Sequence, residues 1–551
     1  MADSGPNPLA PNTHLGMIAV VVAMVLGTLA IVFDGGPAAG DPMATASYYD
    51  PDTRVYLAAD FLQVQDSQQL ERFMDAIGRI AEASGAGPGV DGDRLDYWSE
   101  WDISVSADIL PWLGRSGSVG LVPDPSGPIE FTRGTNLAPL FVVQSGNREN
   151  AERFVEKILT SDAERTGSGL TGVPFGDETV TAWEYTSGDH DAMTWAVTDG
   201  AILIAPSAGV IASALETKAS GISLRDSEGF QAVIDTLPSD PGVTAYISGT
   251  VLEDLYNEFV GLYGELGIDD ELGLDPLAVA ADDPVAMGAS ASLDDGGLTF
   301  TFTQILDAPV TGQSTEPTPV AESLPDGTLA YLAWNTSPGT LGDFGELLAA
   351  TDPDAYDEMV FLAEIFLGVD VFTDVLAYMG GGSSIALIDT GPPESIFDIE
   401  RIGFLGSIGI HDIDAMAATL STVTSYMEDV WGFSFTEVGG VTRALDPSGS
   451  DFSFYLSDQA FVFGVPTRVV ESSLQPPETA LADGEMYQRI ARGLMGSGVD
   501  FYLDLHGLFD ASEEQLDEEQ EAWLTMFPGL GVAVDSDGRT TTITVFVAAD
   551  Y

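Results

Sequence analysis

The chain contains no cysteine, which excludes a disulfide framework, a thiolate zinc site, an iron–sulfur centre and a cysteine nucleophile. Basic residues are scarce as well. Eighteen Lys and Arg face 87 Asp and Glu, a formal net charge of −69, and Lys157 and Lys218 are the only lysines. Phosphate neutralisation needs clustered cations, so nucleic acid is not an expected partner. Only four histidines occur: His14, His190, His411 and His506. Apolar residues, in contrast, make up 45% of the chain, too many for a disordered acidic tail. At 551 residues the chain is expected to form two or more domains.

Leu15 to Phe33 reads LGMIAVVVAMVLGTLAIVF, nineteen residues without a charge. As a helix this run spans roughly 28 Å, the thickness of a bilayer core. The expectation is a short tail over 1–14, a single transmembrane helix over 15–33 and a flexible linker over 34–47. The rival reading is a cleaved signal peptide ending at Ala44 and Ala46, against which stand the length of the run and the lack of Lys or Arg before it. The first basic residue is Arg54, so charge asymmetry says little about orientation. An uncleaved N-terminal anchor followed by a long domain implies that the C-terminal part lies outside the cytoplasm.

An acidic, lysine-poor surface suits concentrated salt. Carboxylates hold their hydration there, and at about 1 M the screening length falls to roughly 3 Å, so self-repulsion weakens. The composition therefore predicts a halophilic or salt-tolerant protein.

Compared with itself, the chain repeats. PDTRVYLAA from Pro51 returns as PDGTLAYLAW from Pro325, and Asp108–Val122 returns without a gap as Asp374–Ile388. Thr198 onward matches Ser457 onward, Asp226–Leu237 matches Asp483–Leu494, Gly242 onward matches Gly498 onward, and Ala289 onward matches Val532 onward. Six blocks in one order predict a first domain over 48–307, a Pro/Thr-rich linker over 308–320 and a second, similar domain over 321–551. Helical spacing places Leu70, Phe73, Met74 and Ile77 on one face, and likewise Ala151, Phe154, Val155, Ile158 and Leu159. Phe230, Val233, Ile234 and Leu237 form a third face, repeated by Tyr487, Ile490, Ala491 and Leu494. Short apolar runs such as AILIA predict strands, and LDDGGL and VDSDGR predict hairpin turns. The fold class is α+β: two tandem domains, each a mostly antiparallel sheet of roughly eight or nine strands with helices on one face.

Chemistry is harder to find. His190 lies beside Asp189 and Asp191, and His411 beside Asp412 and Asp414, either of which is a conceivable metal cluster. The plainer reading makes the first a polar loop and makes Asp412 or Asp414 a helix N-cap. No histidine is shared by the two copies. VDGDRLDYWSE at Val90 misses the calcium-loop pattern, because Leu95 and Asp96 occupy its fifth and sixth positions. GGGSS from Gly380 and GRSGS from Gly114 lack phosphate-loop spacing. Tyr97, Trp98, Trp101 and Trp112 form a candidate binding surface whose alternative is a core wedge. SEEQLDEEQEAW from Ser512 reads as a solvated acidic helix. No catalytic, cofactor-binding or metal residue is assigned, and no cofactor is implied.

The succession of Pro51 and Asp52 opening a strand, Trp112–Gly114 before a strand, and Ser227–Phe230 in a helix before the Tyr246 strand resembles a bacterial family of unknown function, number thirty-three fifty-two of its series. The resemblance implies a single N-terminal span and carries no activity. The resulting expectation is a membrane-anchored, non-enzymatic binding or scaffold module of the cell envelope, with an envelope protein, polymer or lipid as partner. The alternatives are an envelope hydrolase or metal-dependent enzyme using an Asp–His cluster, and a carrier of apolar ligands.

Overall fold

The structure, a computed structural model, describes residues 42–60, 105–250, 284–307, 320–336, 353–391, 401–494, 498–512 and 527–549 apart from short breaks, together with a few isolated positions. The Leu15–Phe33 run, the Leu70–Ile77 helix and the Val90 segment lie outside the described residues. Among those described, no helix is long and apolar enough to cross a membrane. The chain falls into two compact units, one built mainly from Met1–Gly267 and the other mainly from Ala308–Tyr551.

In the first unit the strands are β1 (Val55–Asp60), β2 (Leu113–Pro123), β3 (Glu130–Thr132), β4 (Thr135–Ser145), β5 (Gly169–Val173), β6 (Thr181–Thr186), β7 (Met193–Val197), β8 (Ala201–Ala205), β9 (Val243–Ser248), β10 (Pro284–Asp294) and β11 (Gly297–Leu306). An antiparallel sheet runs β10-β9-β1-β2-β4-β8-β7-β6-β5. β1 is central to it. Tyr56 faces Tyr246 of β9 on one side and Gly120 of β2 on the other. Gly120 is required there because a Cβ would stand 2.6 Å from the Tyr49 ring. Tyr49 is fully buried, its hydroxyl within 2.9 Å of Ser118 Oγ and donating to the Leu140 carbonyl at 3.0 Å. Burial pushes that hydroxyl well above the usual phenol range.

Helices cover this sheet on both faces, which corrects the expectation of one covered face. Along β8, Ala201, Leu203 and Ala205 join a core with Val210 and Ile211 of helix α2 (Ala208–Ser220) and Phe230 and Val233 of helix α3 (Glu228–Thr236). The alternate residues Ile202 and Ile204 join a second core with Phe154, Val155 and Ile158 of helix α1 (Arg148–Thr166). Successive strand side chains point to opposite faces, so the continuous apolar run AILIA supplies apolar residues to both cores. α1 buries the five residues that spacing assigns to its face. Ser207 and Ser227 cap α2 and α3 by accepting from Val210 N and Phe230 N.

The expected linker over 34–47 also needs correction. Pro42–Tyr48 is a 3₁₀ turn, and Met43 and Ala46 are buried in the same core as Tyr56 and Phe230. A segment that buries apolar side chains loses the freedom a linker keeps.

In the second unit the strands are β12 (Thr328–Thr336), β13 (Gly381–Asp389), β14 (Ile402–Gly409), β15 (Ser434–Val438), β16 (Val441–Leu445), β17 (Asp451–Leu456), β18 (Ala460–Val465), β19 (Phe501–Asp504), β20 (Gly529–Ser536) and β21 (Thr540–Ala548). The antiparallel order is β21-β20-β19-β12-β13-β14-β18-β17-β16-β15. Tyr331 of β12 faces Tyr502 of β19, and their rings stack with centroids 5.9 Å apart. Again both faces are covered. Val462 of β18 joins the core that holds Val469 and Val470 of the helix Thr467–Ser472 and, further along the sheet, Ile490 of the helix Glu485–Gly493. Its neighbour Phe461 packs against the opposite cluster of Met379, Ile410 and Met416, the last on the helix Ile413–Tyr426. Val320, expected to end the linker over 308–320, is instead buried in this unit's core. The VDSDGR turn closes β20 onto β21, with Asp537 Oδ1 accepting from Arg539 N and Thr540 N and Gly538 at φ +88°. Mixed helix and antiparallel sheet make the chain α+β.

Candidate functional site

The scarce cations act as staples. Arg401 donates from Nε and Nη2 to the two Asp389 oxygens at 3.1 and 2.9 Å and from Nη1 to the Asp510 carbonyl. That guanidinium holds the Asp389 carboxyl below its usual range. Arg148 bridges Glu152 and Asp199, and Lys157 pairs with Asp108 at 2.9 Å.

Among the described residues, the sequence candidates do not converge. His14, His190, Tyr97, Trp98 and Trp101 lie outside the described residues. His411 is exposed at the end of β14, and Asp412 beside it caps the next helix by accepting from Ala415 N at 3.0 Å. His506 sits on the helix Leu505–Ser512, its Nδ1 3.4 Å from Asp510 Oδ2. Among the described residues, no group of three His, Asp or Glu stands ready to hold a metal. Trp112 is a core wedge: it is 4% exposed, packs on Phe154 at 4.8 Å and donates from Nε1 to the Asp108 carbonyl at 2.7 Å. Beside it, a polar groove of about 560 Å³ runs along α1, lined by Asp108, Asn150, Arg153, Glu156, Lys157 and Thr160. Both glycine-rich segments lie in β2 and β13, where strands leave no phosphate cradle.

A surface that spacing arguments did not single out is more informative. Helix α4 (Pro353–Leu367) ends at Gly368, whose φ is +73° and whose N–H donates to the Ala363 and Glu364 carbonyls. It docks through buried Ala363, through the Tyr356–Phe372 stack at 4.8 Å, and through Tyr426, whose hydroxyl donates to the Ile365 carbonyl at 2.9 Å. Much of the rest faces water. Met359, Phe361, Leu362, Ile365 and Phe366 are all exposed, Phe361 at 59%. Phe366 stacks at 5.6 Å on Trp431, which with Val430 is also exposed in the helical turn Met427–Trp431. Together these side chains present on the order of 600 Å² of apolar surface, at or above the largest patch of an ordinary monomer. Removing that area from water would release roughly 15 kcal/mol before association costs. The signal in the sequence is MVFLAEIFL, which holds more apolar residues than one buried helical face can use.

A family model described as "Protein of unknown function (DUF3352)" matches residues 65–549. No curated protein matches the chain. Among solved structures, crystal form I of TP0453 aligns over 49% of this chain and 81% of that one, at 11% identity and a TM-score of 0.24. Crystal form III of TP0453 aligns over 50% and 83%, at 12% identity and a TM-score of 0.26.

Proposed function

The chain belongs to the DUF3352 family, and from that premise we propose that it is a membrane-anchored, non-enzymatic binding module of the cell envelope, working outside the cytoplasm in high salt. The observation that carries the reading is the apolar face of α4 and Trp431, set in a chain of net charge −69. A surface rich in carboxylates has no solvation reason to keep Phe361, Phe366 and Trp431 in water, and such faces mark interaction sites. The uncharged run Leu15–Phe33 supports the anchor.

In this reading the two units are copies of one ancestral domain. Support comes from the strand orders, β10-β9-β1-β2-β4-β8-β7-β6-β5 in one and β20-β19-β12-β13-β14-β18-β17-β16-β15 in the other. It comes also from matching aromatic contacts, Tyr56, Phe230 and Tyr246 in the first and Tyr331, Tyr487 and Tyr502 in the second. Fractionation tests the anchor. The full chain should stay with membranes through an alkaline carbonate wash, which strips peripherally docked chains, and a chain lacking residues 15–33 should be released; release of the full chain would overturn the reading.

A further inference from the structure

We propose that the exposed face of α4 and the Met427–Trp431 turn docks on the interfacial zone of a bilayer whose lipids carry no net charge. The inference rests on reading this face as a binding surface and names its partner. Three observations favour lipid. The first is shape and composition: Phe361, Ile365 and Phe366 project from one helix, with Trp431 stacked on its end, giving a convex aromatic and aliphatic edge. A fluid surface accepts such an edge, and aromatic rings concentrate where acyl chains meet headgroups.

The second is charge. Neither 353–372 nor 413–432 contains a Lys or Arg, whereas Asp357, Glu358, Glu364, Glu428 and Asp429 rim the face and are exposed. A second copy would desolvate these carboxylates against their own kind, a contact cost that bulk salt screens little, with no Lys or Arg in either segment to pair them. Anionic headgroups meet the same repulsion. A zwitterionic surface does not.

The third is the gradient along α4. Asp354, Asp357 and Glu358 fall in its N-terminal half, where the helix dipole favours acids. From Met359 to Phe366 only Glu364 is charged. The C-terminal half of the helix can therefore enter the interface while its acidic half stays in water.

The absence of cysteine makes the test direct. Phe361→Cys and Val430→Cys, both at exposed positions, are made separately in the full chain and labelled with an environment-sensitive fluorophore. Glu478→Cys is the control, in the loop joining the two helices Thr467–Ser472 and Glu485–Gly493 that cover the other face of the sheet. Each is reconstituted into phosphatidylcholine vesicles in molar KCl, with and without lipids bearing a nitroxide near the headgroup. The expected result is that nitroxide lipid quenches both face labels about twofold and leaves the control unchanged. Labels that stay open to aqueous iodide while the chain co-floats with vesicles would overturn the lipid assignment and leave the anchor standing. Labels shielded from iodide but insensitive to nitroxide lipid, with a cross-linkable dimer, would assign the face to a second copy and also overturn it. Failure of the chain to float would overturn both the anchor and the lipid assignment.

Discussion

Tyr49→Phe tests the part of the fold that local patterning missed. The substitution keeps the ring, its edge-on contact with Tyr56 at 5.0 Å and the filled space above Gly120. It removes only the hydroxyl. Ser118 Oγ and the Leu140 carbonyl then lose this partner in a site without solvent access. Leaving buried polar groups unmatched costs about 1–3 kcal/mol, so the first unit should lose roughly 2 kcal/mol. For a unit of this size that corresponds to a fall in melting temperature of about 4–8 °C. Ser118→Ala removes the other end of the same contact, so the double variant should cost less than the sum of the singles by at least about 0.5 kcal/mol. Thermal and urea melts in molar KCl, followed by circular dichroism, read both quantities. A Tyr49→Phe variant as stable as the parent, or strict additivity with Ser118→Ala, would refute the buried hydroxyl network.

Arg401→Gln should destabilise the second unit by about 1 kcal/mol at pH 7, since it deletes a two-point contact to Asp389. Because the Arg401 hydrogen bond lowers the Asp389 pKa from 3.8, the stabilisation is present above the unfolded value and lost as pH falls through the lower folded one. Acid titration of stability should therefore show a smaller loss below pH 4 in the variant than in the parent. Raising KCl from about 0.1 M to about 2 M should raise the melting temperature, because a chain of charge −69 gains from screening; an unchanged melt would remove the salt-adaptation argument.

Much of the local structure was legible in the sequence. The apolar faces of α1 and α3 come from spacing, because a helix that covers a sheet must place its buried residues every three or four positions. Of the two N-cap candidates Asp412 and Asp414, Asp412 caps the helix, and Trp112 takes the core-wedge alternative. Two features were not legible. Burial on both faces of β8 depends on which helices pack above and below that strand, and AILIA alone fits a strand covered on one face or on two. Met43 and Ala46 sit among small and polar residues with no period to mark them, and their burial comes from the non-local core they share with Tyr56 and Phe230. The candidate face on α4 was hidden for a related reason. Periodicity identifies apolar residues but not whether another element covers them.

The central claim is that both units stand outside the cytoplasm on a retained anchor, and labelling of intact cells tests it most directly. Glu149→Cys in the first unit and Glu478→Cys in the second each place a lone thiol at an exposed position of a chain that has none. A membrane-impermeant maleimide should label both in intact cells, and the labelled chain should stay in the membrane pellet through an alkaline carbonate wash. Labelling only after lysis, or recovery of the labelled chain in the wash, would contradict the account.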